Sequence, residues 1–418
     1  MTRFLLRVVK MFALVIALGL PLVSPSVSQA GGPVHGAKAA AMGTAFVAIA
    51  DDPSAITFNP AGLTTLKCTN IYGGLVAVVP STDFTSPAGR TEKTYFQAFF
   101  PPQFYISSDL GMESVVLGLG IYSPFGIGGR KWSDTGLTRF ASTEGTIATI
   151  AANPTIAWQI LPQLTVGAGV DILYASNTAA TMVDQSALAA GDGRLSFKGW
   201  GLGVGYNLGI LLFPGGKVSF GFAYRSGIRV KQEGTVALGK IAPALQPLFG
   251  GPVFRTDAST VVNFPEIFSW GLAFRPTPKL TLGVDVDWGR WSSFDETLFS
   301  LKNKVPAARF GDIPISFKWE DAVAIKVGVE YRLTDRLALR GGYAFVETIV
   351  PGSTLNPGNP DSDQHNVSLG FGYRIRGYDL DVFYIAGFFH DRKSTNAILA
   401  GEYKNFVHYG GFSVGYKF

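Results

Sequence analysis

The sequence predicts an all-β fold, a transmembrane antiparallel β-barrel of about 14 strands with an N-terminal, partly helical hatch plugging the lumen. Three observations predict it. The chain opens with an export signal, it is apolar without containing a usable membrane helix, and it alternates with period two up to a C-terminal Phe.

The signal comes first. Arg3, Arg7 and Lys10 form a basic start, residues 11–23 are an almost unbroken apolar run, and Ser28-Gln29-Ala30 offers small residues where a signal peptidase reads. Residues 1–30 are therefore expected to be removed, leaving residues 31–69 as a hatch and 70–418 as the barrel. The signal carries three basic residues and no acid, so the formal net charge of +5 falls to +2 in the mature chain. That balance gives no support to nucleic-acid binding.

Composition narrows the class. The chain holds 51 Gly, 13% aromatic and only 16% charged residues, with a mean hydropathy of +0.23. Its single cysteine, Cys68, excludes an intrachain disulfide and is expected to be buried at a packing junction. Residues 145–170 and 199–216 are long uncharged stretches, but Pro, Gly, Asn or Gln interrupt both, and both alternate. Neither reads as a membrane helix. The other structure that satisfies every backbone group in lipid is the closed barrel.

Residues 31–66 are rich in Ala and other small residues and do not alternate. They contain two helix starts, Asp52-Pro53 and Asn59-Pro60, in which a short polar side chain can cap free N–H groups and Pro loses no hydrogen bond. Such short apolar helices are expected inside the barrel as a plug.

The strands follow. Near the terminus Phe412, Val414, Tyr416 and Phe418 share one face, and Gly411, Ser413, Gly415 and Lys417 the other. Leu280, Leu282, Val284, Val286 and Trp288 face out, with Asp285 and Asp287 in; Val323, Ile325, Val327, Val329 and Tyr331 face out, with Lys326 and Glu330 in. A soluble sandwich would show a polar outer face, whereas here the apolar face ends in Tyr or Trp, as a membrane girdle does. Six short turns are expected, at 107–109, 161–163, 214–216, 276–278, 333–335 and 375–377. Seven long loops alternate with them, at about 81–93, 123–145, 177–194, 236–263, 300–312, 351–362 and 392–402. Short turns belong to the periplasm and long loops to the outside.

Gly43-Thr44-Ala45-Phe46, Ala50-Asp51-Asp52-Pro53-Ser54-Ala55 and Asn59-Pro60-Ala61-Gly62-Leu63 together resemble the N-terminal hatch of the FadL family, outer-membrane transporters of long-chain fatty acids and aromatic hydrocarbons. Tyr122-Ser123-Pro124-Phe125-Gly126, Phe264-Pro265-Glu266 with the run 270–276, and Asp287-Trp288 to Phe294-Asp295 agree, so the resemblance spans essentially the whole chain. It implies a monomer in outer-membrane lipid and lipopolysaccharide, with ligand captured at an outer apolar groove. From there the ligand passes to a site beside the hatch and leaves sideways where a kinked early strand breaks the wall. The C-terminal Phe418 looks like the signal read by the barrel insertion machinery.

Candidate residues carry alternatives. The loop 237–254, with Ile241, Leu245, Leu248, Phe249, Val253 and Phe254, is too apolar for an ordinary exposed loop; it is a hydrophobic binding surface or a loop folded onto its neighbours. Pro124, Phe125 and Gly126 mark a wall defect or a plain strand end. Asn59, Pro60 and Ala61 form a turn that gates the hatch or merely anchors it. Asp171, Arg225, Asp285, Asp287, Lys326, Glu330, Arg340, Asp379 and Asp381 face inward; near-balanced charges favour salt bridges that hold the hatch. Arg225 and Arg340 are the candidate partners for a ligand carboxylate.

No cofactor or metal is expected, since His35, His365, His390 and His408 lack ligand spacing. His408 shares a face with Phe412 and Phe418, an interfacial place. No nucleophile elbow or phosphate loop is present, and Gly-x-Gly at 201–205 reads as strand packing. The chain is thus read as a passive transporter of hydrophobic small molecules. A general porin would lack the apolar plug. An outer-membrane enzyme would need a Ser, His and acid set that does not assemble.

Overall fold

The computed structural model describes residues 34–418; the expected signal peptide lies outside them. Fourteen strands cross the wall and close it. They are β1 (Thr69–Thr85), β2 (Pro102–Ser108), β3 (Val115–Tyr122, resumed at Ile127–Lys131), β4 (Glu144–Leu161), β5 (Leu164–Val183), β6 (Gly193–Leu212) and β7 (Val218–Arg225 and Ile228–Gly239). The second half comprises β8 (Val253–Phe264 and Ile267–Thr277), β9 (Leu280–Gly289 and Glu296–Leu301), β10 (Ile313–Ser316 and Ala322–Arg332), β11 (Leu337–Val346), β12 (Gln364–Ile375), β13 (Tyr378–Phe389) and β14 (Gly401–Lys417). Each pairs antiparallel with its chain neighbours. β14 returns to β1 in a ladder from Asn70↔Lys417 to Thr85↔Glu402, which closes the sheet on itself.

The wall is written by alternation. Ile325, Val327, Val329 and Tyr331 are each more than a third exposed to the outside, whereas Lys326 and Glu330 between them are buried. The same holds for Leu282 and Val284 around Asp285, and for Phe412 and Val414 around Ser413. Among the described residues no helix is long and apolar enough to cross a membrane.

All six short turns fall where expected, at the end that also holds Thr69 and Phe418, whose N–H donates to the Thr69 carbonyl at 2.9 Å. The loops differ from expectation at several boundaries. β1 continues to Thr85, β5 to Val183 and β8 back to Val253, so much of what polarity assigned to loops is ladder. β5 and β6 run 20 residues each, about twice what a bilayer needs. Beyond the lipid an outer apolar face has no purpose, so the periodic signal fades while the strand goes on. Cys68 is also corrected: it is exposed, at a positive φ of 64°, and its N–H donates to Asp109 Oδ2 at 2.7 Å. It ends the hatch at the solvent-facing rim, where nothing packs over it.

Candidate functional site: the hatch and the lumen it closes

The hatch enters as α1 (Ala37–Ala41), continues as turns, forms α2 (Ala55–Phe58) and ends in a 3-10 turn, Pro60–Thr65. The Asn59 cap is made as expected, whereas Asp52 closes a turn just ahead of α2, whose N-cap Ser54 makes no side-chain cap bond. Asp52 Oδ1 accepts from the Ser54 N–H at 2.8 Å, and Asn59 Oδ1 accepts from the Ala61 N–H at 3.2 Å.

Glycines of the wall seat this segment. A Cβ on Gly342 would lie 2.1 Å from the nitrogen of Gly43, and one on Gly328 would lie 2.3 Å from the Met42 carbonyl oxygen. Gly283 faces Ala45, Gly221 and Gly271 face Val47, Gly209 faces Asn59 and Pro60, and Gly167 faces Pro60 and Ala61. From β11 round to β5, the hatch backbone rests directly on strand backbone where any larger residue would hold it off. Sequence reasoning singles out only the Gly-x-Gly of 201–205, as strand packing, and passes over the glycines of this seat. Their inward phase, shared by strand after strand, was the available signal for a seat.

Polar clamps fasten it. Asp285 accepts the N–H groups of Phe46 and Val47 at 2.6 and 2.8 Å. Lys38 holds Asp51 at 2.7 Å and reaches Glu330 at 3.8 Å; Glu330 binds Arg340 at 2.8 Å, and Arg340 binds Asp381 at 2.6 Å. Burial works against the charge on Lys38, but Asp51 and Glu330 outweigh it and hold its pKa above the usual lysine value. Lys326 pairs with Asp287. Asn59 is fully buried and its amide donates to the carbonyls of Val47 and Ile210, both at 2.9 Å, joining two turns of the hatch to β6.

A second clamp spans β3, β5 and β7. Arg225 pairs with Asp171, donates to Tyr122 Oη at 3.1 Å and reaches the Thr57 carbonyl of the hatch at 3.2 Å. Both candidate carboxylate partners, Arg225 and Arg340, are thus already engaged by wall acids. Asp379 does not join the lumen clusters: it pairs with Arg374 at the periplasmic rim, with about half of its side chain exposed. The inward face there has already left the packed interior.

Between hatch and wall lies a cavity of about 620 Å³ of atom-free space, part of it open to solvent, lined by His35, Thr57, Phe58, Pro60, Pro124 and Arg225 among others. His35 stacks edge-on against Tyr122 at 5.2 Å. Burial, and then the nearby Arg225 charge, lowers its pKa to about 3, so it is neutral.

Pro124 belongs to the break in β3. β2 and β3 pair only up to Gln103↔Tyr122, while the resumed part of β3 pairs with β4 alone. Residues 123–126 therefore interrupt the wall next to the hatch. Phe125 is buried there and stacks on Phe264 at 4.5 Å, where β8 is broken as well. On the facing side Tyr95, Phe96 and Phe100 are exposed, Phe96 at 81%.

The upper lumen is apolar. A single cluster of buried side chains runs from Ile56 and Leu63 of the hatch through Ile147, Phe197 and Val230 to Phe299, Phe310, Trp319 and Leu355 under the loops. The loop between β7 and β8 contributes by folding inward. Ile241, Leu245 and Phe249 are buried, Leu248 and Phe254 pack against the cluster, and only Val253 is half exposed. Of the two readings of that loop, the one that folds it onto its neighbours describes the geometry.

The remaining histidines sit on the outer wall: His365 with His390 at 2.9 Å, and His408 with Tyr384 at 2.6 Å. Among the described residues no three potential ligands gather for a metal.

A closed barrel with a lipid-compatible face, an internal plug and an apolar upper lumen defines an outer-membrane transport barrel. The sequence comparisons agree. The family described as "Outer membrane protein transport protein (OMPP1/FadL/TodX)" matches residues 21–412, and the chain belongs to that family. A putative outer membrane protein of Neisseria meningitidis is 25% identical, with 97% of this chain and 98% of that protein covered. A long-chain fatty acid transport protein of Escherichia coli is 23% identical over 90% and 91%. Among solved structures, a Pseudomonas aeruginosa FadL homologue aligns with a TM-score of 0.82 at 19% identity, over 92% of this chain and 99% of that one. The Pseudomonas putida toluene transporter TodX aligns at 0.72 and 16%, over 92% and 98%. The protein is an outer-membrane transport protein.

Proposed function

We propose that this chain carries hydrophobic small molecules, of the long-chain fatty acid or hydrocarbon kind, passively across the outer membrane and releases them through its wall. The observation that carries the reading is the continuity of the apolar cluster from loops to hatch, ending beside the break at residues 123–126. Straight passage to the periplasm meets the buried charges of Lys38, Glu330, Arg340 and Asp285, where an apolar molecule gains nothing. A sideways step at Pro124, Phe125 and Gly126 keeps it among apolar groups. The loop residues Ile241, Leu245, Leu248, Phe249, Val253 and Phe254 serve as the capture surface when the loop lifts from the cluster it folds onto, with Val253 already half exposed, and Asn59, Pro60 and Ala61 as the turn that yields when ligand reaches the hatch. Arg225 or Arg340 would receive a ligand carboxylate only by exchanging an existing acid partner. The protein works as a monomer in lipid and lipopolysaccharide, enters through the insertion machinery by Phe418, and performs no catalysis.

The test is uptake of radiolabelled oleate and of toluene by a Gram-negative host lacking its own hydrophobic transporters. Uptake of either that is lost in Asn59→Ala, with the barrel still inserted, supports the reading. Entry of small hydrophilic sugars instead would make the protein a porin.

A further inference from the structure

Above the hatch, the inner face of β6 is bare. Four successive inward positions, Gly199, Gly201, Gly203 and Gly205, separate Phe197 from Asn207, while Trp200, Leu202 and Val204 between them face lipid. The bare track is overlaid from β7. Ile228 and Val230 come within 2.7 and 2.8 Å of where a Cβ on Gly203 would lie, and Ile228 within 2.5 Å for Gly205. These are apolar side chains lying over backbone, and a ligand's apolar chain displaces them without breaking a hydrogen bond.

Next on the inward face of β7 is Gln232. The pairing Glu233↔Trp200 sets it beside Gly201. It is completely buried, and neither its amide nitrogen nor its carbonyl oxygen has a hydrogen-bond partner. On the other flank of the track, Asn177 of β5 pairs with Gly199, is 2% exposed, and leaves its Oδ1 unpaired. A carboxamide with both halves unsatisfied is among the most costly groups to hold in an apolar interior. The neighbouring cations of β6 and β7, Lys198 and Lys231, lie on the exposed face and cannot reach it.

We propose that the glycine face of β6 is the path of the ligand's apolar chain, and that Gln232 reads its head. A group that donates and accepts at once satisfies both halves of the amide. The preferred cargo is therefore an amphiphile with a neutral head, a long-chain alcohol or an undissociated fatty acid, over a bare hydrocarbon. This rests on the transport reading above and names the substrate class within it.

The experiment compares cellular uptake of radiolabelled oleyl alcohol and hexadecane through the full-length protein, its Gln232→Met and Gln232→Leu variants, and Gly203→Val. Assembly is checked by the heat-modifiable mobility of the barrel. Losing a hydrogen bond of this kind is expected to lower alcohol uptake by roughly three- to tenfold in both Gln232 variants while hexadecane uptake stays unchanged. Gly203→Val fills the track and lowers both. The proposal is overturned if alcohol and alkane change in parallel in the Gln232 variants, or if neither changes. If the unaltered protein admits oleate or toluene but neither of these two compounds, the inference is overturned and the transport reading stands; if it admits none of the four, the transport reading falls and takes this inference with it.

Discussion

At the scale of residues, two side chains make claims that can be measured. Asn59 joins two turns of the hatch and β6 through three hydrogen bonds of its side-chain amide. Asn59→Ala strands two carbonyls and is expected to cost about 1–3 kcal/mol, read as faster amide exchange in residues 46–62 while the strand amides stay protected. Asp361, in the loop between β11 and β12, accepts from Thr348 Oγ1 at 2.7 Å and the Ile349 N–H at 3.1 Å, but its Oδ1 is buried without a partner. Burial raises its pKa to about 6 despite those donors. A carboxyl raised above its unfolded value binds its proton more tightly when folded, so the loop is held best below pH ~4, loses stability as pH rises to about 6, and carries a constant penalty above that. Protease resistance of this loop is expected to increase from pH 8 to pH 5, and Asp361→Asn, which keeps an accepting oxygen, should flatten that response.

At the scale of elements, the glycine seat and the clamps divide the work of holding the hatch. The seat gives shape and the clamps give polar pairing. Gly342→Val would push residues 42–43 off β11, and the expected result is a barrel that inserts normally but shows ion conductance in planar bilayers that the unaltered protein lacks. Unchanged conductance would mean that the clamps alone keep the plug in place. Alternation revealed which charges face inward because the pleat is strictly periodic. It could not reveal that Arg225 meets Asp171, since the two lie on the strands flanking β6 and meet across it, Asp171 opposite Gly205 and Arg225 opposite Asn207, which takes the registers of both pairs to see. The Asp52 turn and the Asn59 cap were legible because they are local. The break in pairing at residues 123–126 was legible only as a Pro and Gly mixture, since it is defined by where the neighbouring strand stops.

At the scale of the whole molecule, the barrel is layered. A charged, hatch-filled lower lumen lies beneath an apolar upper lumen, with strands that outrun the bilayer to carry the loops. Strand count was readable because turns and girdles repeat around the wall. Strand length was not, because the lipid that imposes the pattern ends before the strands do. Closure depends on β14, just beyond which Phe418 is 65% exposed and bonded to the start of β1. Deleting Phe418 removes one contact at the rim, so refolded stability in detergent should change by well under 1 kcal/mol. Assembly in cells should fall several-fold if insertion factors read that residue. Equal assembly with and without it would sink that role.

The exposed thiol at the end of the hatch has a practical consequence. Cys68 is the chain's sole cysteine and sits on the link between the part proposed to move and the part that stays. Nature has in effect left an addressable label site at the hinge. A maleimide dye placed there without any engineering would turn each rearrangement of the plug into an optical signal, one molecule at a time.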